Sequence, residues 1–267
     1  MQKFFRGRLG GGRHLAIALG LIALLVSAAL NGFHRSAGAS ARNGAAHKDQ
    51  ALRKYAGMPL YFERNIGQSD PSVRYLSHSA RSSLFLTDDA AVIAMVAAPS
   101  AKRRAVSLQA SASTDQAKTV ESAIRISLLG ANPHPQFEPI EPFTGRVNYL
   151  IGNDPSKYHT DVPIFGRIKE KNIYPGVDLI YYGNHDSLEY DLIAAPGADI
   201  SKLRFAIEGG SNVTLDREGN LIIAASAGAV VLHKPQVSEQ DARGKHTPVA
   251  GTFKMVGTGA IEAGIAR

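Results

Sequence analysis

The chain has 267 residues, 44% of them hydrophobic, so it can bury a substantial core, and disorder throughout is excluded. Its net charge is +7, but five basic residues and no acidic residue precede Arg42, and the remainder holds 25 basic against 23 acidic residues. This near-neutral body argues against nucleic-acid binding, and the lack of cysteine excludes disulfides, thiolate metal sites and cysteine nucleophiles.

The first 41 residues are typical of an export signal or a signal anchor. Four cationic side chains within residues 1–14 precede an uninterrupted run of apolar and small residues at 15–30. We expect this run to form a hydrophobic helix, and its length leaves both cleavage and anchoring in the inner membrane open. Positive charge ahead of the run predicts that the rest is exported, to the periplasm, the outer surface or the cell exterior.

Behind this leader the composition predicts a tether and then a folded domain. Residues 36–50 are mostly Ala, Ser, Gly, Asn and basic residues, which bury too little apolar surface to become ordered. We place a flexible tether at residues 42–57 and the folded domain at residues 58–267. A second polar stretch, at about residues 97–122, predicts a disordered insertion within the domain.

Short strands separated by turn residues fill the domain. Residues 124–128 alternate apolar with polar side chains, whereas residues 132–142 carry four prolines and predict an extended loop. The densest pattern, residues 172–199, predicts a β-hairpin with strands at 177–182 and 188–193. Further strands are predicted near residue 61 and at residues 73–76, 83–86, 91–96, 147–151, 157–162, 164–168, 203–207, 213–215, 221–225, 230–232, 236–240 and 252–256.

This spacing predicts the fold class. Short strands recurring about every eight to ten residues are typical of sandwiches and barrels. We predict an all-β fold, an antiparallel β-sandwich that follows the N-terminal hydrophobic helix, with two packed sandwich halves as the alternative.

Glu189 and Asp191 are weak candidates for catalysis. They lie two residues apart on a predicted strand and so share one face, with backbone positions about 6.5 to 7 Å apart. Such a pair could relax to the roughly 5 to 5.5 Å between the carboxyl groups of retaining glycosidases. A simpler interpretation is a charged face opposite Leu188, Tyr190 and Leu192, so we expect no catalytic residues here.

Weak metal candidates also lie near the hairpin. Asp178, His185 and Asp186 offer oxygen and nitrogen ligands, but their spacing matches no tight motif, and Asp186 suits a turn. His134 and His159 do not pair with a serine in a recognisable nucleophile motif. We expect no metal and no cofactor.

Tyrosines of the hairpin are weak candidates for ligand binding. Tyr181, Tyr182 and Tyr190 could stack on sugars, although tyrosines of a sheet more often fill its core with the hydroxyl reaching water. Tryptophan, the strongest stacking platform, is absent. The alternative function is therefore a carbohydrate-active enzyme or a carbohydrate-binding module.

Several segments resemble a known family: residues 65–68 (NIGQ), 145–155 (GRVNYLIGNDP), 174–184 (YPGVDLIYYGN), 188–191 (LEYD) and 196–199 (PGAD). They resemble the amino-terminal domain of unknown function of large secreted bacterial proteins, which precedes SBBP-type β-propeller repeats. The resemblance runs from about Leu60 to Arg267 and implies an exported β-rich domain. It supplies no catalytic residues.

The leading interpretation is a non-catalytic module of the cell envelope that contacts other proteins or packs on a β-propeller. Membrane contact is expected only through the N-terminal segment, and carbohydrate is an alternative ligand. Because sequences of the resembling family continue into propeller repeats, we expect the last strand, within residues 251–267, to fray or to leave an apolar edge exposed.

Overall fold

The computed structural model describes residues 2–11, 60–79, 82–97, 120–184, 187–256 and 260–265, and all of them belong to one compact unit. The predicted apolar helix at 15–30, the tether at 42–57 and most of the predicted insertion at 97–122 lie outside the described residues, as do His185 and Asp186. Within the described ranges, no helix has the length and hydrophobicity to cross a bilayer.

Strands and two single-turn 3₁₀ helices, Pro155–Lys157 and Ile200–Lys202, make up the regular structure of the described residues. The strands are β1 (Gln2–Gly11), β2 (Phe62–Arg64), β3 (Val73–His78), β4 (Ser82–Thr87), β5 (Ala90–Val96), β6 (Glu121–Leu128), β7 (Gln136–Tyr149), β8 (His159–Tyr174), β9 (Val177–Asn184), β10 (Ser187–Ala194), β11 (Arg204–Glu208), β12 (Asn212–Leu215), β13 (Leu221–Ala225), β14 (Gly228–Leu232), β15 (Gln236–Gln240), β16 (His246–Met255) and β17 (Ala260–Ile265). The predicted all-β class is confirmed.

Every strand pairing is antiparallel, and the pairings form a closed circuit. From β2 the circuit runs through β3, β4, β5 and β6 to β11, and then through β17, β16 and β15 to β1. It returns from β1 through β10, β9 and β8 to β2. β7 branches from β8, and β12 and β13 branch through β14 from β1. Strand β1 therefore closes the circuit between β15 and β10.

The core follows from alternation along the strands. In β11, Phe205 and Ile207 are buried whereas Arg204 and Glu208 are exposed, and β13 buries Leu221 in the same way. Each such fully buried side chain contributes roughly 1.5 to 3 kcal/mol of transfer free energy. The fully buried hydrophobic side chains include Phe62, Leu86, Ile124, Ile168, Leu221, Ile223 and Ile261.

The structure corrects the predicted proline-rich loop at residues 132–142. From Gln136 onward this segment is part of β7, with Pro139 opposite Ile168 and Pro142 opposite Phe165 of β8. Among the described residues β7 pairs with β8 alone, so it is an edge strand. Proline lacks an N–H but is tolerated where that position would face solvent, and this explains why Pro139 and Pro142, two of the four prolines, did not prevent a strand.

Two further boundaries differ from expectation. The predicted insertion ends earlier than residue 122, because Glu121 and Ser122 already pair with β5. The expected exposed edge at the chain end is wrong for the first half of β17, which lies between β16 and β11 and fully buries Ile261. The edge of β17 that was expected to be exposed is therefore paired with β11, which lies about 60 residues earlier in the chain.

Candidate interaction site

Strand β1 occupies a slot between two edges of the sheet. Residues 3–9 pair with β10 on one side, while residues 2–6 pair with β15 and residues 9–11 with β14 on the other. The far edges of β10, β14 and β15 already pair with β9, β13 and β16. We call this position the strand slot, bounded by β10 on one side and by β14 and β15 on the other.

A charged contact fixes the register of β1 in the strand slot. Arg6 Nε donates a hydrogen bond to Asp191 Oδ1 at 3.1 Å, and this contact raises the pKa of the guanidinium. The hydroxyl of Tyr182 donates to the same carboxylate oxygen at 3.0 Å, and the Arg6 guanidinium lies 5.9 Å from the Tyr182 ring centroid. Asp191 and Tyr182 thus form a recognition point for a cation on the inserted strand.

A second feature is a cleft of about 420 Å³ beside β3 and the start of β7. Its buried floor includes Tyr75 and Pro135, and the rings of Tyr75 and Phe137 lie 5.9 Å apart. Polar side chains form its rim. The lining residues are Arg64, Asn65, Arg74, Tyr75, Asp88, His134, Pro135 and Phe137.

The loop at the rim of the cleft is built by the side chain of Asn65. Its amide group donates to the carbonyls of Asp70 and Val73 at 2.8 Å each, and its carbonyl oxygen accepts the amides of Gly67 and Ser69. An asparagine that satisfies four backbone groups fixes the loop conformation. The segment at residues 65–68, which resembles the family, is thus explained by loop construction.

Charges on the cleft rim are only partly neutralised. Arg74 and Asp88 form a bidentate pair with both N–O distances at 2.7 Å, and these hydrogen bonds hold the pKa of Asp88 below its usual range. Within the described part of the chain, Arg64 has no carboxylate partner, and its guanidinium lies 5.9 Å from the ring centroids of Tyr75 and Phe165. The rim therefore carries a net positive charge.

A buried carboxyl group lies behind the floor of the cleft. Glu170 of β8 is only 5% exposed and stands opposite Phe137 of β7, so both side chains project from the same face of the sheet. Burial, and to a lesser extent the charge of Asp88, raises the pKa of Glu170 to about 8. At neutral pH this side chain is mostly protonated.

A chain of hydrogen bonds at the other end of β3 joins a serine to a buried glutamate. Ser83 Oγ is 2.8 Å from His78 Nδ1, His78 Nε2 is 3.3 Å from the Tyr149 hydroxyl, and that hydroxyl donates to Glu63 at 2.5 Å. Serine, histidine and carboxylate also occur together in hydrolases, where a cleft holds the substrate. Ser83 does not line the cleft. This series of hydrogen bonds anchors the end of β7 to β2 and β3.

The structure places Glu189 and Asp191 on β10 as predicted, but Asp191 is committed to other contacts. Its carboxylate accepts hydrogen bonds from Arg6 and from Tyr182. Neither carboxylate lines the cleft. The position of Asp191 therefore assigns it to the strand slot.

Asp178, the described member of the predicted metal set, is also occupied. Lys169 Nζ lies 2.8 Å from one carboxylate oxygen, and the amide of Asn172 donates to the other at 2.9 Å. Burial raises the pKa of Asp178, but these contacts outweigh it and lower the pKa overall. Among the described residues, no three His, Asp or Glu side chains converge in a metal-binding arrangement.

The three candidate tyrosines do not share one surface. Tyr181 is 7% exposed and stands opposite Tyr190, so these two rings project from one face, whereas the neighbouring Tyr182 projects from the other. The Tyr182 ring is covered by the guanidinium groups of Arg6 and Arg167. A flat platform for sugar stacking would need the rings on a common exposed face.

Sequence reasoning missed the residues that the structure brings together. Arg6 contributed only to the charge of the predicted signal, and His134 was placed in a loop rather than on a cleft rim. Glu170 occupies a position that alternation with Ile168 assigns to the buried face, and a charged residue on such a face is the signal that could have revealed it, whereas Glu63 is buried directly beside the buried Phe62 and alternation gives no signal there.

Comparisons with known proteins give a family and no characterised relative. No curated protein and no solved structure shows significant similarity to the chain. One family model matches residues 62–263, which runs from β2 into β17 and does not include β1. The chain belongs to the family described as Domain of unknown function (DUF7948).

Proposed function

We propose that this protein is a non-catalytic exported module that binds other proteins by accepting an extended strand in the strand slot. The observation that carries the proposal is the double pairing of β1, with β10 on one side and with β14 and β15 on the other. Addition of a strand to an open sheet edge is a common mode of peptide recognition. A slot with two edges offers twice the hydrogen-bonding surface of a single edge.

Export would remove β1 from the strand slot. Residues 2–11 directly precede the apolar run at 15–30, whose charge pattern predicts that the amino terminus stays in the cytoplasm. In an exported domain, seven residues of β10, five of β15 and three of β14 would then lose their pairing partner. Unpaired edges of this length favour association with another strand.

The proposed partner is a β-propeller domain or another protein of the cell envelope. The resemblance to domains that precede SBBP-type repeats supports a propeller, and the near-neutral charge of the folded part supports a protein rather than nucleic acid. In this proposal the antiparallel sheet folds as the sandwich predicted from the sequence, with the strand slot at one seam. A role in carbohydrate chemistry draws no support from Glu189, Asp191 or the three tyrosines.

A strand-exchange experiment tests the proposal. A protease site is introduced between residues 43 and 58 of the full chain, the folded protein is cut in detergent, and a fluorescent peptide with the sequence of residues 2–11 is added. We expect saturable binding with one peptide per chain after cutting, and much weaker binding to uncut protein, in which β1 competes. Equal binding of a scrambled peptide, or no binding after the cut fragment has been displaced, would contradict the proposal.

The register contact supplies a matched control. Replacement of arginine by glutamate at the position of Arg6 in the peptide places a negative charge against Asp191, and we expect at least a tenfold loss of affinity. Asp191→Asn should weaken binding of the native peptide. Asp161→Asn removes an exposed carboxylate on β8, which is separated from β1 by β9 and β10, and should leave binding unchanged.

A further inference from the structure

The cleft beside β3 combines three properties of a ligand site. It has a volume of about 420 Å³, its floor is aromatic, and its rim carries two arginines and a histidine against one aspartate. Ligand pockets of about this size are lined mainly by apolar groups with a few polar groups that orient the ligand. The cleft lies among β2, β3 and β7 and shares no residue with the strand slot.

The two arginines of the rim play different parts. Arg74 uses the Nε and Nη2 edge of its guanidinium on Asp88, so its charge is largely neutralised by that carboxylate. Arg64 has no such partner among the described residues, although its guanidinium is held close to Tyr75 and Phe165. Burial raises the pKa of the Tyr75 hydroxyl, and the charge of Arg64 and its hydrogen bond to that hydroxyl oppose the shift, so one part of the guanidinium faces Tyr75 and the rest of its planar fork is left for an oxyanion.

The charge and shape of this fork define the ligand class. With Asp88 neutralised by Arg74, the remaining charge of the rim comes from Arg64, together with any charge on His134. A planar carboxylate matches one guanidinium in a bidentate arrangement, and a flat apolar body matches the half-buried ring of Phe137, whose centroid lies 5.9 Å from that of the buried Tyr75. We propose that the cleft binds a carboxylate attached to an aromatic or similarly flat group, with Arg64 as the principal anchor.

The direct test uses N-acetylphenylalanine as the probe and N-acetylphenylalaninamide as its neutral counterpart. Binding to the full chain is followed by protein-observed NMR or calorimetry at pH 7. We expect saturable binding of the carboxylate and at least tenfold weaker binding of the amide. Absence of saturation up to about 10 mM, or equal affinity for the two compounds, would overturn the proposal.

Substitutions at two positions of the rim should have opposite effects on affinity. Arg64→Ala should weaken binding of the carboxylate at least tenfold, and Arg64→Lys should recover only part of that loss because lysine lacks the planar fork. Asp88→Asn removes a negative charge and releases Arg74, so affinity should rise severalfold. If the cleft bound the probe through apolar contacts alone, neither substitution would change the affinity. An unchanged affinity in Arg64→Ala or in Asp88→Asn would refute the anchoring role of Arg64.

The matched control is Arg217→Ala. Arg217 lies exposed in the turn before β13, so its removal changes the net charge of the protein as Arg64→Ala does, but it does not line the cleft. We expect no change in affinity. Tighter binding of inorganic phosphate than of the carboxylate would overturn the assignment of the ligand class, and failure of this proposal would leave the strand-exchange result unaffected.

Discussion

Two regions of the sheet are held together in different ways. Around β2, β3 and β8, contacts are made by buried side chains that lie within residues 62–174, and β7 pairs with β8 there as an edge strand. Around the strand slot, β10, β14 and β15 also bury side chains such as Leu192, Leu232 and Val237, whereas the described contacts of β1 itself are backbone pairing and an ion pair between residues 185 positions apart. The first region resembles the permanent interior of a domain, whereas the second resembles an interface whose occupant can be exchanged.

The largest effect is expected in the permanent region, from Glu170→Gln. Wild-type Glu170 keeps its proton until about pH 8, whereas in the unfolded chain it ionises near its ordinary pKa of 4.5. The folded state therefore binds more protons between these values, and this residue makes stability fall as the pH rises from about 4.5 to 8. The substitution should stabilise the protein by on the order of 3 kcal/mol at pH 8 and by little at pH 4.5.

Urea denaturation of both proteins at several pH values checks this prediction. The difference in free energy of unfolding between variant and wild type isolates the contribution of Glu170. Carboxylates with lowered pKa values, such as Asp88 and Asp89, make stability rise with pH and are present in both proteins. Phe137, Asp88 and Tyr181 remain in place around the substituted side chain. A pH-independent difference would show that the carboxyl group is not held in its protonated form.

A smaller effect, this time a loss of stability, should follow Tyr149→Phe, which removes the hydroxyl that donates to Glu63. Glu63 is 1% exposed, so the substitution leaves a buried carboxylate without this donor at a cost of roughly 2 kcal/mol. Tyr158→Phe is the matched control, because the Tyr158 hydroxyl donates to a carbonyl at an exposed position. Similar denaturation midpoints for the two variants would show that the anchoring of β7 does not depend on this hydrogen bond.

The smallest effect on stability is expected at the strand slot, from Asp191→Asn. Its partner Arg6 is exposed, and exposed ion pairs contribute only a few tenths of a kcal/mol. The same substitution should nevertheless speed the exchange of β1 for the peptide, since it removes the charge that fixes the register. A loss of several kcal/mol in the free energy of unfolding of Asp191→Asn would place Asp191 among the permanent contacts and remove the contrast between the two regions.

The sequence predicted strands β10 and β15 beside the strand slot better than strand β7 in the other region, for physical reasons. The hairpin of β9 and β10 and the bounds of β15 follow from local alternation and turn residues, and both are confirmed. The end of β7 was predicted, within residues 147–151, but its first part was missed because proline normally argues against a strand, and only the position at an edge makes Pro139 acceptable.

Partners at long range leave little trace in a single sequence. Nothing local marks residues 2–11 as the partner of Asp191, and the cleft depends on Arg64 and His134 meeting from separate segments. The buried acids Glu63 and Glu170 resemble surface residues of a strand until the two faces of that strand are known. Local pattern therefore determined the strands, whereas the sites arise from tertiary pairing.

Hydrogen exchange on the edges of the strand slot tests the central claim most directly. Phe5→Pro in the full chain removes a backbone N–H at the one part of β1 that pairs with both β10 and β15, and so disfavours its insertion. We predict that the β10 and β15 amides facing β1 lose protection in this variant, that the peptide of residues 2–11 restores it, and that amides of β3 and β8 stay protected. Unchanged protection of β10 and β15, or a general loss that includes β3 and β8, would contradict the account of an exchangeable strand.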